Sequence, residues 1–205
     1  MKKIFTLLSV IALGTFANAQ TTAVLSEDFA AYTAGGNTAT TGSNAPDGTD
    51  IYNPGTNTLP IGVPSANFTA GTKVYQAGGM AKLGTGSLTG SMSTKVLDLS
   101  TDGGKVSVAF DVKGWSSVEG PIVVSVSSPN ATTNPYFTTE VTYSALLAAS
   151  TLDSKTVTFA GGLANSTITF STKVKRAFLD NIIIKTDANL TLNVNDINKL
   201  KNNFV

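Results

Sequence analysis

One spacing dominates this chain: apolar residues at every second position. In Lys105-Val-Ser-Val-Ala-Phe-Asp-Val-Lys113, Val106, Val108, Phe110 and Val112 fall on one face. Ser107 and Asp111 fall on the other, with Ala109 between them. A strand sends successive side chains to opposite faces, so this spacing makes a strand buried on one side. Pro121 to Ser128 repeats the pattern, and Thr156-Val-Thr-Phe159 and Thr167-Ile-Thr-Phe170 are shorter copies. Val174 to Lys185, with Ile182-Ile183-Ile184 inside it, is the last expected strand; Val24 to Tyr32 and Thr94 to Leu99 complete the expected core. Gly103-Gly104, Gly161-Gly162 and Ser128-Pro129-Asn130 stand between them as turn signals. Only Ser144 to Ala149 predicts a helix, of about one and a half turns at 3.6 residues per turn. Many short strands separated by turns predict an all-β sandwich or barrel.

The chain begins with Met1-Lys2-Lys3, an apolar run from Ile4 to Phe16, and Ala17-Asn18-Ala19. These are the three regions of a secretory signal peptide, so residues 1–19 are expected to be cleaved and the product exported. The run is short of the roughly 20 residues a bilayer-spanning helix needs. Residues 20–187 are expected to form one domain, large enough to bury a core without disulfides. None can form, because the chain has no cysteine, which also closes the lipoprotein route. Removing the leader's two lysines leaves 12 basic residues against 13 acidic ones. That balance predicts no attraction to nucleic acid or to an anionic membrane.

Composition excludes much chemistry. Without histidine or cysteine there is no Ser-His-Asp triad, no Cys-His dyad and no zinc site of the usual kinds. The single arginine, Arg176, and the absence of a phosphate loop argue against phosphate handling. A carboxylate pair is the catalytic route left, and Asp111 with Glu119 is the pair worth entertaining, held near Trp115 by adjacent strands. Solvated surface acids are the plainer account, and no enzyme is expected. Sugar recognition instead needs exposed aromatic rings and polar groups that fix hydroxyls. Trp115, the only tryptophan, stands at a strand end between Gly114 and Ser116; Tyr52, Tyr75, Tyr136 and Tyr143 are further candidates. Residues 33 to 66 form the longest irregular stretch, and a loop of that length serves function or merely wraps the domain.

Two resemblances extend this reading. Glu27-Asp28-Phe29, Thr94-Lys-Val-Leu-Asp-Leu-Ser100 and Phe178-Leu-Asp-Asn-Ile182 resemble, in content and placement, the jelly-roll modules of Bacteroidetes surface proteins. More distantly they resemble carbohydrate-binding β-sandwiches, over Val24 to Thr186. The most specific pieces are Lys82-Leu-Gly-Thr, Phe110-Asp-Val-Lys-Gly-Trp115, Val118-Glu-Gly120 and Lys175-Arg-Ala-Phe-Leu-Asp180. The resemblance implies an antiparallel jelly-roll β-sandwich and a polysaccharide or surface-glycan partner. It also implies a structural calcium tying the first and last strands, with Glu27 or Asp28 meeting Asp180. Alternation lets at most one of Glu27 and Asp28 point there. The polar segment 188–205 contains Leu192-Asn-Val-Asn-Asp-Ile-Asn-Lys and then Phe204. It resembles the opening of the sorting domain carried by type IX secretion cargo, which normally runs on for several more strands. That implies the type IX machinery as a partner and a secreted or outer-surface location; a plain polar tail is the alternative.

The combined expectation is a non-catalytic binding or adhesion module directed to carbohydrate, with Trp115, Glu119, Asp111, Tyr52 and Tyr75 at its site. The rivals are a structural surface protein without a small ligand and a glycoside hydrolase using Asp111 and Glu119.

Overall fold

The structure is a computed structural model that describes residues 23–37, 65–147 and 151–192. The expected leader, Tyr52, most of the long irregular stretch and residues 193–205 lie outside the described residues. Eleven strands run in chain order. They are β1 (Ala23–Glu27), β2 (Phe68–Thr72), β3 (Val74–Gln76), β4 (Ala81–Leu83), β5 (Ser91–Thr94) and β6 (Val106–Lys113). β7 (Ile122–Ser127), β8 (Phe137–Val141), β9 (Asp153–Phe159), β10 (Thr167–Thr172) and β11 (Ala177–Thr186) follow. They form two antiparallel sheets, a β-sandwich of jelly-roll type as expected. One sheet has the order β3-β4-β11-β6-β9 with β1 also on β11; the other has the order β2-β5-β10-β7-β8.

The expected strands form because each places its apolar set on the inner face. Val106, Val108, Phe110 and Val112 of β6 are at most 2% exposed, as are Ile122, Val124 and Val126 of β7. Phe170 of β10 joins the two layers: its ring centroid lies 5.4 Å from Phe110 of the other sheet, edge to face, and 6.4 Å from Phe68. Phe29 extends the row, 5.7 Å from Phe68. Each such side chain contributes on the order of 1.5–3 kcal/mol by leaving water.

β11 breaks its own alternation. Ala177 and Leu179 face the core, and so do Ile182 and Ile184. Odd positions give way to even ones at an irregularity against β6 between Asp180 and Ile183, where Asn181 adopts φ 47°. A bulge inserts one residue and so resets which face each later side chain takes. It falls where β11 changes partner along one edge, pairing β4 through Leu179 and β1 from Ile182. Phe178, before the bulge, therefore points away from the main core and into a small second cluster with Ala77, Met80 and Leu147.

The helix expected at Ser144 to Ala149 does not form over residues 144–147. Gly114 N donates to Ala145 O at 2.8 Å, Leu147 N to Trp115 O at 3.1 Å, and Leu146 bridges Gly114 in parallel. An isolated turn and a half is too short to repay helix nucleation, and these cross-sandwich bonds replace it. Five strands lack a sequence signal: β2, β3, β4, β5 and β8 are short or carry no clean alternation, and the expected segment Thr94 to Leu99 shares only Thr94 with β5.

Phe170→Ala, which empties the contact between the sheets, is expected to cost about 3–5 kcal/mol. In urea unfolding the midpoint should fall with the slope unchanged.

Candidate functional site

The register of the six-stranded sheet assembles one row across its outer face. Tyr75 of β3 pairs Lys82 of β4, Lys82 pairs Phe178 of β11, and Phe178 pairs Lys113 of β6. Trp115, two residues past Lys113, folds back over this row. Its ring stacks on Phe178 with centroids 5.7 Å apart and planes 18° from parallel. The turn that permits this needs Gly114: a Cβ there would stand 2.7 Å from Ser117 O and 3.3 Å from Leu146. Trp115 is half-buried, whereas Tyr75, Lys82 and Lys113 are buried beneath the cover.

Two cations lie over these rings. Arg176 Cζ lies 4.4 Å from the Trp115 centroid, and Lys82 Nζ lies 4.5 Å from that of Tyr75 and 5.5 Å from that of Trp115. A cation over an aromatic face is held by the ring quadrupole, more strongly where water is excluded. Arg176 is also locked from its other side by Glu119. Nε donates to Oε2 at 2.9 Å, NH2 to Oε1 at 2.7 Å, and the Arg176 backbone N to Oε2 at 3.1 Å. Those bonds hold the Glu119 carboxyl below the usual carboxylate range. Lys113, which pairs Phe178 in the register, is pulled below the ordinary lysine range by burial, against the opposing pull of Asp180.

Asp111 lies further along the face, opposite Asp180. It accepts from Ser154 Oγ at 2.5 Å and from Asn181 Nδ2 at 2.8 Å, so the bulge residue supplies one of its partners. Burial pushes the Asp180 carboxyl up, and the charges of Asp111 and Asp28 push it further. Asp111 and Glu119 are not brought together. Glu119 sits on the amide of Arg176, four residues and so roughly 13 Å along β11 from Asp180 at the usual rise. Paired glycosidase carboxylates stand about 5–9.5 Å apart.

The first and last strands do pair, Glu27 opposite Ile182. The Glu27 carboxylate is engaged locally, accepting from Phe29 N at 3.0 Å, Asn67 Nδ2 at 3.1 Å and Ser65 Oγ. Asp28 accepts from Ala30 N at 3.0 Å and lies close enough to raise Asp180. Among the described residues no group of three or more Asp or Glu side chains gathers where it could hold a metal ion.

Tyr136 and Tyr143 are engaged elsewhere. Tyr136 bonds Ser166 Oγ at 2.8 Å beside the β9–β10 turn, far from Trp115. Tyr143 is 7% exposed within the main core, its hydroxyl without a hydrogen-bond partner among the described residues. Burial, with Glu119 adding, pushes that phenol up to about 12. Sequence reasoning missed Arg176, Lys82 and Phe178 as neighbours of Trp115. The adjacency of Lys82-Leu-Gly-Thr and Lys175-Arg-Ala-Phe could have found them only once the β4–β11 register was known.

The two acids titrate with opposite sign. The folded protein holds the Glu119 proton less tightly than the unfolded chain does. Its stabilisation is therefore full above the ordinary carboxylate range and lost as pH falls through the lowered value. Glu119→Gln should lower the melting temperature at pH 7, and the deficit should close as pH drops below 4.5, the unfolded reference. The folded protein holds the Asp180 proton more tightly, so ionising it destabilises as pH rises through the raised value. Asp180→Asn should raise the melting temperature at pH 7, with the gain vanishing in acid, when melting curves are recorded across pH.

No protein-family model and no curated protein matches the chain in sequence. Solved structures of similar shape include a family 29 carbohydrate-binding module complexed with mannohexaose, at 18% identity and TM-score 0.43, covering 62% of this chain and 85% of that one. A family 16 carbohydrate-binding module matches at 14% identity and TM-score 0.40, covering 54% and 78%. The cleaved adhesin domain of Lys-gingipain from Porphyromonas gingivalis matches at 16% identity and TM-score 0.41, covering 80% and 100%. Such distant likenesses carry no ligand across to this chain.

Proposed function

We propose that this chain is a non-catalytic binding module directed to carbohydrate, its site on the outer face of the six-stranded sheet around Trp115. The observation that supports this most is the half-exposed yet immobilised indole: stacked on Phe178, under the Arg176 guanidinium, its backbone held by Leu147. A ring fixed before binding gives up little conformational entropy when a sugar meets the part of it left exposed. Glu119 and Arg176 beside it, and Asp111, Asp180 and Asn181 further along, supply acceptors and donors for hydroxyl groups. The separation and local engagement of Asp111 and Glu119 favour binding over hydrolysis. The leader-like residues 1–19 are consistent with work outside the cell, at the surface or beyond it.

Purified protein screened against a broad polysaccharide panel should bind one glycan class saturably. Trp115→Ala should weaken that binding about tenfold or more, a loss of roughly 1.4 kcal/mol, with the β-sheet circular dichroism unchanged. Saturable binding that Trp115→Ala leaves intact would move the site elsewhere. No binding across the panel would favour a structural surface protein without a small ligand.

A further inference from the structure

The topology gathers five chain junctions at one end of the sandwich. β2 passes to β3 there through Lys73, β4 to β5 through residues 84–90, and β6 to β7 through 114–121; the described residues 142–147 and 151–152, which follow β8 and precede β9, and residues 173–176 close the set. The pairing makes this unambiguous, because Leu83 meets Ala177, Lys113 meets Phe178, Ile122 meets both Thr172 and Val141, and Ser91 meets both Thr72 and Ser171. Four large apolar residues are exposed among the described residues. Three of them, Leu88 at 52%, Val118 at 42% and Val174 at 51%, stand on three different junctions at this end. They are neighbours: a Cβ on Gly120 would meet Val174 Cγ2 at 2.7 Å, and one on Gly84 would meet the carbonyls of both Lys175 and Leu88.

The same end is cationic. Its described junction residues hold Lys73, Lys173, Lys175 and Arg176 against a single acid, Glu119. Lys173 also pairs Glu140 near the end of β8, and Arg176 pairs Glu119. The tip Lys173-Val174-Lys175 is exposed throughout, a valine between two lysines. The opposite end instead carries Asp98, Asp102 and Asp187 with Lys95 and Lys105. The near-balanced charge of the whole chain, which predicts no attraction to an anionic membrane, conceals this separation.

We propose that the junction end docks on an anionic lipid surface, with Leu88, Val118 and Val174 entering the headgroup–acyl boundary and Lys173 and Lys175 lying among the headgroups. Aliphatic side chains on convex tips, rimmed by lysine, match an interface that is apolar inside and negative outside. A glycan chain would call for a flat aromatic face, and Trp115 lies on the sheet beside these tips rather than at their summit. Docking end-on brings Trp115, Glu119 and Arg176, which stand on two of these junctions, to the rim of the contact, while the assignment itself rests on the exposed aliphatic tips and lysines and not on the carbohydrate reading.

The test uses the chain from Gln20 onward, which retains every residue of both apolar clusters and omits the apolar leader. It is mixed with vesicles of equal parts phosphatidylglycerol and phosphatidylcholine. Sedimentation should show binding that high salt weakens. Brominated acyl chains should quench the emission of Trp115, the only tryptophan. Leu88→Ser, Val118→Ser and Val174→Ser combined should lower the partition coefficient about tenfold or more. The single variant Lys175→Glu should lower it on these vesicles but not on pure phosphatidylcholine. All four positions are exposed, so melting temperatures should stay close to wild type. No partition onto the anionic vesicles, or partition that neither variant changes, overturns the proposal. So does retention on an acidic polysaccharide without any vesicle binding.

Discussion

The structure hangs on β11. Its ten residues hydrogen-bond to β6 along one edge and to β4 and then β1 along the other, so three strands depend on it for pairing. A strand bonded on both edges contributes through both of its faces as well. Here the inner face carries Ala177, Leu179, Ile182 and Ile184 into the core, and the outer face carries Phe178 and Asp180. The bulge at Asp180 and Asn181 lets one strand do both. Without the extra residue, Ile182 and Ile184 would face solvent whenever Leu179 faced the core. The bulge also delivers Asn181 to Asp111, so the device that corrects the core's register helps arrange the polar groups on the outer face.

Above that face, stability and function draw on the same contacts. Trp115 covers Phe178, and the cover buries Lys82 and Lys113. A buried ammonium is costly unless compensated. Compensation for Lys82 comes from the Tyr75 and Trp115 rings, and Asp180 draws on Lys113. Arg176 is clamped between Glu119 and the indole, which stiffens a side chain that would otherwise be mobile. Such preorganisation suits recognition better than proton transfer. A Glu119 carboxyl held low by arginine is a poor general acid, and its distance from Asp111 keeps those two from acting as a pair.

The molecule also divides its surface. Polar and aromatic groups occupy the sheet face, while aliphatic tips and lysines occupy one end. The separation follows from the meander of the chain. Consecutive strands alternate in direction, so alternate junctions fall at the same end and the residues they carry become neighbours, with Trp115 and Leu147 alone among those named folding back onto the sheet face at Phe178.

The sequence by itself determined the all-β class and the major strands. Val106 to Val112 and Ile122 to Val126 alternate so regularly that only a strand buries them on one face. Missing histidine and cysteine settled much of the excluded chemistry, since no fold can supply a side chain the chain lacks. The short strands β2, β3, β4, β5 and β8 escaped because pairing, not local pattern, makes them strands. Leu146 likewise left its local helical preference for a bridge to Gly114. Only tertiary structure decided where Glu119 goes, because its partner Arg176 is 57 residues away and reaches it through the β4–β11–β6 register. Register also decided that Trp115 lies on Phe178 and that Tyr143 is core. A one-residue shift in pairing exchanges the two faces of a strand, and no local spacing encodes which pairing wins.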